Sequence, residues 1–152
     1  MTNFSILCQY NGGCMGCCGH DFGSKKDIQL AIATNTKEFE AMNPQSDPEK
    51  MRFRDRFYFM DLRNGVCRNL IEVKGKFFCP LHPACNGGRD LRQGHCDTAY
   101  FCQTAKQFDV WDEGRKRKFL KFIDKQKLDN LDYSIKIEDG TLIKEFTESL
   151  KN

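Results

Sequence analysis

The residues with the clearest capacity for chemistry are the cysteines, of which there are nine in 152 residues. Three of them belong to the segment CMGCC at positions 14–18, and Cys8 precedes that segment by six residues. A C-x-x-C pair places two sulfurs close to one edge of a tetrahedral thiolate site. The flanking glycines let backbone amides turn towards bound sulfurs. This pattern indicates metal binding through cysteine thiolates.

The other five cysteines are spread at irregular spacings over a longer stretch. Zinc and iron–sulfur clusters both accept four thiolates from separated loops, so the sequence leaves the metal open between zinc and iron, including an iron–sulfur cluster. Adjacent Cys17 and Cys18 point in different directions, which suits either two metals or one ligand beside a supporting residue. The candidate metal ligands are Cys8, Cys14, Cys17, Cys18, Cys67, Cys79, Cys85, Cys96 and Cys102.

Three other uses of these cysteines are less well supported. Nine cysteines are about 6% of the chain, below the content of a short disulfide scaffold, and an odd number with an adjacent pair suits disulfides poorly. A buried structural thiol suits Cys102, which follows Tyr100 and Phe101, better than it suits the glycine-rich loop. A redox dithiol needs a lowered thiol pKa, and no thioredoxin-like βαβ pattern surrounds the C-x-x-C pair.

Histidines and basic segments are secondary candidates. His20 and His95 lie near cysteines, and we predict surface-loop positions for them, with metal ligation as the alternative. His82, between two prolines, is predicted to be a hydrogen-bonding residue in a stiff loop. The segment RDLR at 89–92 is expected to contain a salt bridge rather than an anion site. The segment RKRKFLK at 115–121 is expected to be a solvated helix face, with nucleic-acid contact as the alternative.

Composition and charge narrow the class of protein. Thirteen Phe and 39% hydrophobic residues exclude a disordered chain, and the net charge of +3 is weak evidence for nucleic acid. There is no apolar run of 18 residues and no signal-peptide pattern at the start, so we expect a cytoplasmic protein without a membrane partner. Thiols stay reduced in that compartment. A metal ion is the expected partner, nucleic acid is not expected, and the sequence does not identify a protein partner.

The elements that must position the cysteines are predicted to be mostly helices. Capping and turn signals predict a small α+β protein of one domain over residues 1–152, with a Cys-rich metal-binding part at 1–102 and a helical C-terminal part at 103–152. Short hairpins and Cys-rich loops would come together around a metal site. The predicted elements are helices at 24–43, 47–57, 98–108, 113–127 and from 141, a strand or buried extended segment at 57–62, a hairpin at 69–79, a loop at 80–96 and an extended piece at 133–137.

Four parts of the cysteine pattern carry a resemblance to a known family. They are Cys8, CMGCCG at 14–19, CRNL at 67–70 and GKFFC at 75–79. Together they resemble the YkgJ-type cysteine-cluster family, a zinc- or iron-chelating domain with a CxxCxxCC-like motif. The resemblance covers about residues 8–102, with a longer spacing after Cys8 and with His82-Pro83 in place of an Arg-Pro pair.

The resemblance also implies roles for individual cysteines. Cys14, Cys17 and Cys18 would form the early cluster with Cys8 as its first member, and Cys67 and Cys79 would form the middle pair. The remaining ligands would come from Cys85, Cys96 or Cys102. Some members of the family are linked to flagellin lysine methylation, although no cofactor-binding motif accompanies the cysteines here.

Three functions stay open at the level of sequence. The first is a metal-binding protein that uses zinc, iron or an iron–sulfur cluster, with an unidentified biological role. The second is a metal- or cluster-dependent enzyme of methyl transfer or redox chemistry, although the motifs of common enzyme classes are missing. The third is a nucleic-acid-binding module in which the metal is structural.

Overall fold

The computed structural model describes residues 5–58 and 61–151. This part of the chain contains six α-helices, one antiparallel pair of strands and two single turns of 3₁₀ helix at Ile6–Cys8 and Pro83–Cys85. The prediction of a small, mostly helical α+β protein is confirmed. In chain order the elements are α1 Lys25–Met42, α2 Asp47–Arg54, β1 Ile71–Val73, β2 Lys76–Phe78, α3 Gln103–Asp109, α4 Glu113–Gln126, α5 Asn130–Glu138 and α6 Thr141–Ser149.

The chain packs as two compact units. The hairpin unit is Cys18–Ala99, and the helical unit combines residues 5–17 with residues 100–151. The chain therefore passes from one unit to the other between Cys17 and Cys18, and returns between Ala99 and Tyr100. The expectation of one domain over residues 1–152, with parts at 1–102 and 103–152, stays a prediction.

The hairpin unit is built from α1, α2 and the two strands. Ser24 and Asp27 form the predicted capping box at the start of α1, and Asn43 ends this helix at a positive φ of 45°. The helix buries Ile28 and Ile32 and packs against β1. The strands pair with Ile71 opposite Phe78, across the predicted Lys74-Gly75 turn.

The helical unit has an aromatic and aliphatic core formed by α3–α6 and the start of the chain. Trp111 packs edge-on against Phe119 at 5.6 Å between ring centroids, and Phe146 lies 5.1 Å from Phe119. Asp112 caps α4 as predicted, by accepting a hydrogen bond from the amide of Arg115 at 2.8 Å. The buried core residues are Leu7, Phe108, Phe119, Ile123, Tyr133, Ile137, Leu142, Ile143 and Phe146.

Two predicted extended segments are wrong. Residues 133–137 lie in α5, because Asp129 caps that helix through the amide of Asp132 and the helix buries Tyr133 and Ile137 on one side. Of the segment predicted as a strand at 57–62, Phe57 and Tyr58 belong to no strand and Tyr58 is 91% exposed, while residues 59–60 lie outside the described residues. Aromatic and β-branched content misled the prediction in both places.

Two predicted helix limits are also wrong. Helix α3 begins at Gln103 rather than Thr98, because its cap is Cys102 and not Asp97. Helix α2 ends at Arg54, three residues before the predicted end at Phe57. In the described part of the chain, no helix combines the length and the apolar composition needed to span a membrane.

Candidate metal-binding cysteines

Cys8 lies at the end of a 3₁₀ turn that is fixed to the core of the helical unit. Its sulfur accepts a hydrogen bond from the backbone amide of Ser5 at 3.4 Å. The preceding residue, Leu7, is 1% exposed, and its carbonyl accepts a hydrogen bond from the Tyr133 hydroxyl at 2.7 Å. Helix α5 therefore sets the position of this cysteine.

The glycine-rich loop that carries Cys14 and Cys17 is also held by α5. The amide of Met15 donates to the Ser134 hydroxyl at 2.9 Å, and the Asn130 side chain donates to the carbonyl of Gly12 at 3.3 Å. Gly16 lies so close to α5 that an added Cβ would be 2.7 Å from the Cβ of Glu138. The loop needs glycine there because the helix leaves no room for a side chain.

Cys102 reaches the same region from the other piece of the helical unit. Its sulfur caps α3 by accepting a hydrogen bond from the amide of Ala105 at 3.4 Å. Within α3, the Thr104 hydroxyl donates to the carbonyl of Ile137 in α5 at 2.7 Å. One helix thus positions both the loop cysteines and Cys102.

The cysteines held by α5 also influence one another electrostatically, and we call them the helical-unit cysteines. Burial raises the pKa of the Cys14 thiol, negative charge on Cys17, Cys8 or Cys102 would raise it further, and the amide of Gly16, 3.4 Å from the sulfur, lowers it. Burial also raises the pKa of Cys102, to which Glu138 and Cys17 add smaller effects. The helical-unit cysteines are Cys8, Cys14, Cys17 and Cys102.

A second set of cysteines belongs to the hairpin unit, where the backbone of Cys18 pairs with that of Cys67. The amide of Cys67 donates to the carbonyl of Cys18 at 2.8 Å. The buried side-chain amide of Asn35 donates to the carbonyls of Cys67 and Leu70, each at 3.0 Å. These bonds tie both cysteines to α1.

Cys79 and Cys96 complete this set. Burial raises the pKa of the Cys79 thiol, Cys67 and Cys96 raise it further, and the amide of Leu81 lowers it. The guanidinium of Arg92 interacts with the thiols of Cys96 and Cys79. We call this set the hairpin-unit cysteines, and its members are Cys18, Cys67, Cys79 and Cys96.

Cys85 differs from the other eight cysteines. It lies at the end of the second 3₁₀ turn, and its residue is exposed, as Cys17 is. Burial of its sulfur raises the pKa, and among the described residues the charged group that opposes this shift is Lys50 rather than another thiol. Its inclusion among the metal ligands stays a prediction.

The cysteines that the fold groups together are not the ones that lie together in the sequence. Sequence order separates the cysteines at 8–18 from those at 67–102, whereas in the structure Cys18 belongs with the later set and Cys102 with the earlier one.

Over residues 5–58 and 61–151, no group of three or more His, Cys, Asp or Glu side chains is arranged to hold a metal ion. In the same residues, none of the cysteines forms a disulfide bond.

The histidines belong to local polar contacts. His82 is buried, and its Nδ1 accepts a hydrogen bond from the amide of Ala84 at 3.0 Å, which confirms the predicted hydrogen-bonding role. His95 Nε2 lies 2.8 Å from a carboxylate oxygen of Asp55. The side chain of His20 is 59% exposed, which agrees with a surface-loop position.

The basic segments are partly used in packing. Arg92 pairs with Asp90 at 2.8 Å, which confirms the predicted salt bridge. In α4, the Arg115 guanidinium lies 4.7 Å from the Trp111 ring centre. Lys116 also packs against an aromatic ring, whereas Arg117, Lys118 and Lys121 are exposed. The predicted solvated face therefore comprises three of the five basic residues.

The chain matches no family model, no curated protein and no solved structure.

Proposed function

We propose that this protein binds metal through cysteine thiolates, as zinc, as iron or as an iron–sulfur cluster. The observation that carries this proposal is that backbone contacts and thiol electrostatics group eight cysteines into two sets, with backbone amides directed at the sulfurs of Cys8, Cys14 and Cys102. Four thiolates are the donor set that structural zinc and iron–sulfur clusters use. The resemblance to the cysteine-cluster family supports the same function.

The surroundings of the sulfurs support bound thiolates more than structural thiols. A hydrogen bond from a backbone amide stabilises the charged form of a thiol, and Cys8, Cys14 and Cys102 each accept one. Burial opposes that charge, so several neighbouring thiolates need a cation among them. Structural thiols would instead be expected to pack as small apolar groups in the core.

Metal binding requires the sulfurs of each set to converge. One torsion angle places the sulfur of a cysteine relative to its backbone, so a change of rotamer moves it without moving the loop. Hydrogen bonds to α5 fix the backbone beside Cys14 and Cys102, and a hydrogen bond from α1 fixes the backbone of Cys67. Binding therefore involves side-chain rotation around backbones that are held in place.

Four thiolates per metal favour a structural role over a catalytic one. Catalytic zinc keeps a coordination position for water or substrate, whereas structural zinc is closed by four protein ligands. The helical unit has an open cavity of about 400 Å³ between α3 and α6, and none of its lining residues is cysteine or histidine. Nothing in this cavity links an enzymatic reaction to the cysteines.

The test is metal analysis of protein purified without oxygen. We expect stoichiometric zinc in a colourless protein, or iron with visible absorption, and a lower metal content in Cys14→Ser than in the wild type. Cys85→Ser is the matched control, because it replaces a cysteine outside both sets and should retain the metal of the wild type. A wild-type protein that carries no stoichiometric metal, and takes up neither zinc nor iron on reconstitution, would refute the proposal.

A further inference from the structure

We infer that the protein has two independent four-thiolate metal sites, one in each unit, and that the boundary between them falls within the Cys17-Cys18 pair. This inference rests on the proposed function and assigns its ligands. The helical-unit cysteines would form one site, the hairpin-unit cysteines the other, and Cys85 would belong to neither.

The helical-unit site is inferred from α5, which contacts two parts of the chain that are distant in sequence. Residues 5–17 and α3 are both hydrogen-bonded to α5, through Ser134 and through the carbonyl of Ile137. The thiols of Cys17, Cys8 and Cys102 all act on Cys14. Burial raises the pKa of the Tyr133 hydroxyl, and negative charge on Cys14, Cys8 or Cys102 would raise that pKa further. Burial and the hydrogen bond to Glu138 raise the pKa of Tyr100, to which Cys102 and Cys17 add smaller effects.

The hairpin-unit site follows from pairing between two loop segments. The amide of His20 donates to the carbonyl of Gly65 at 2.9 Å, and Gly19 pairs with Val66 in an antiparallel bridge. With the bond from Cys67 to Cys18, these contacts fix residues 18–20 against residues 65–67. Gly19 is required because its φ is +129° and a Cβ there would overlap the carbonyl oxygen of Gly65.

The two sites have different charged surroundings, which supports their assignment as separate sites. Arg92 interacts with Cys79 and Cys96 in the hairpin unit. In the helical unit, Glu138 interacts with Cys102 and accepts a hydrogen bond from the Tyr100 hydroxyl at 2.5 Å. Each site would release the protons of its four thiols when a divalent metal binds.

Paired substitutions test the partition because the structure and the sequence order predict opposite results. We expect Cys17→Ser/Cys102→Ser, which removes two ligands of one site, to retain half of the wild-type metal. We expect Cys17→Ser/Cys18→Ser, which removes one ligand from each site, to lose nearly all of it. The reverse result, with half the metal retained by the adjacent pair and none by the distant pair, would overturn the partition.

A second measurement uses the unmodified protein, so that it does not depend on how the variants fold. Metal is withdrawn stepwise with a chelator while exposed thiols are alkylated and identified by mass spectrometry. We expect the thiols of each set to become reactive together as a block of four, and Cys85 to react before any metal leaves. Metal-bearing protein in which Cys17 and Cys18 react in the same block would overturn the partition, whereas metal-free protein would refute the proposed function itself.

Discussion

The Ser134 hydroxyl connects the cysteine-bearing loop to α5, so its removal tests the architecture of the helical unit. Ser134 is fully buried. Its hydroxyl accepts a hydrogen bond from the Met15 amide at 2.9 Å and donates one to the Asn130 carbonyl at 2.7 Å. The substitution Ser134→Ala removes both bonds and leaves the Met15 amide buried without that acceptor.

The expected cost follows from the burial of that amide. A buried donor without a partner costs about 1–3 kcal/mol. Alanine has the better helix propensity, which offsets about 0.5 kcal/mol of the cost. We therefore expect Ser134→Ala to lower the free energy of unfolding by about 0.5–2.5 kcal/mol, which raises the unfolding equilibrium constant about 2- to 60-fold.

The single tryptophan makes the assay specific for the helical unit. Trp111 packs against Phe119 in that core, so its fluorescence during urea unfolding reports on the helical unit. Ser149→Ala is the matched control, because the Ser149 hydroxyl also donates to a carbonyl of its own helix, at 2.6 Å, but the residue is exposed. We expect the control to change stability by less than about 0.5 kcal/mol. Equal effects of the two substitutions, in the same metal state, would contradict the reasoning.

Three further predictions concern the hairpin unit. Asn35→Ala removes the donor shared by the Cys67 and Leu70 carbonyls, of which Cys67 keeps a bond from the Leu70 amide, and should lower stability by about 1–3 kcal/mol, measured by hydrogen exchange of the amides at 67–70. Gly19→Ala should lower stability by more than about 2 kcal/mol, which is the upper cost of a positive φ alone. The cost is larger here because the φ is +129° and the added Cβ would also overlap the carbonyl oxygen of Gly65. His82 should titrate near pH 4, because burial, and then the charge of Arg92, lower its pKa from 6.5 to about 4. Its neutral form stabilises the fold above about pH 6.5, and this stability should be lost as the pH falls towards 4, as followed by NMR titration.

Two of these predictions have a control variant within the hairpin unit, and the third has an outcome that would contradict it. Gly75→Ala has a positive φ of 78° but open space around it, so it should cost only about 1–2 kcal/mol, and equal costs at both glycines would contradict the steric argument. His82→Asn keeps an acceptor for the Ala84 amide and should abolish the acid-dependent loss. If exchange of the amides at 67–70 is unchanged in Asn35→Ala, the proposed anchoring of Cys67 is wrong.

The sequence predicted the elements that depend on local signals. The capping box of Ser24 and Asp27, the cap at Asp112 and the Lys74-Gly75 turn each act through bonds between residues a few positions apart. These signals do not depend on the rest of the fold. For that reason α1, α4 and the hairpin lie where the pattern predicts them.

The sequence did not predict which cysteines are neighbours, because that depends on contacts between distant parts of the chain. Cys102 joins Cys8 and Cys14 through α5, a helix that the sequence pattern misrepresented as an extended piece. Two buried polar residues were missed as well. Asn35 and Ser134 each lie on the buried side of an amphipathic helix, where a polar residue that must be hydrogen-bonded is itself a signal of an anchoring role.

The arrangement of the helical unit explains why a metal site would matter for its stability. The unit consists of two pieces of chain separated by the whole of Cys18–Ala99, so Cys17 and Cys102 belong to different pieces. A metal that binds both residues closes that long loop in the same way as a disulfide would. For a loop of this length the chain-entropy estimate is about 4–5 kcal/mol, comparable with the total stability of many small domains. By the same estimate, a metal that binds both Cys18 and Cys96 closes a loop of similar length in the hairpin unit, so each unit would lose a comparable part of its stability when its metal is removed.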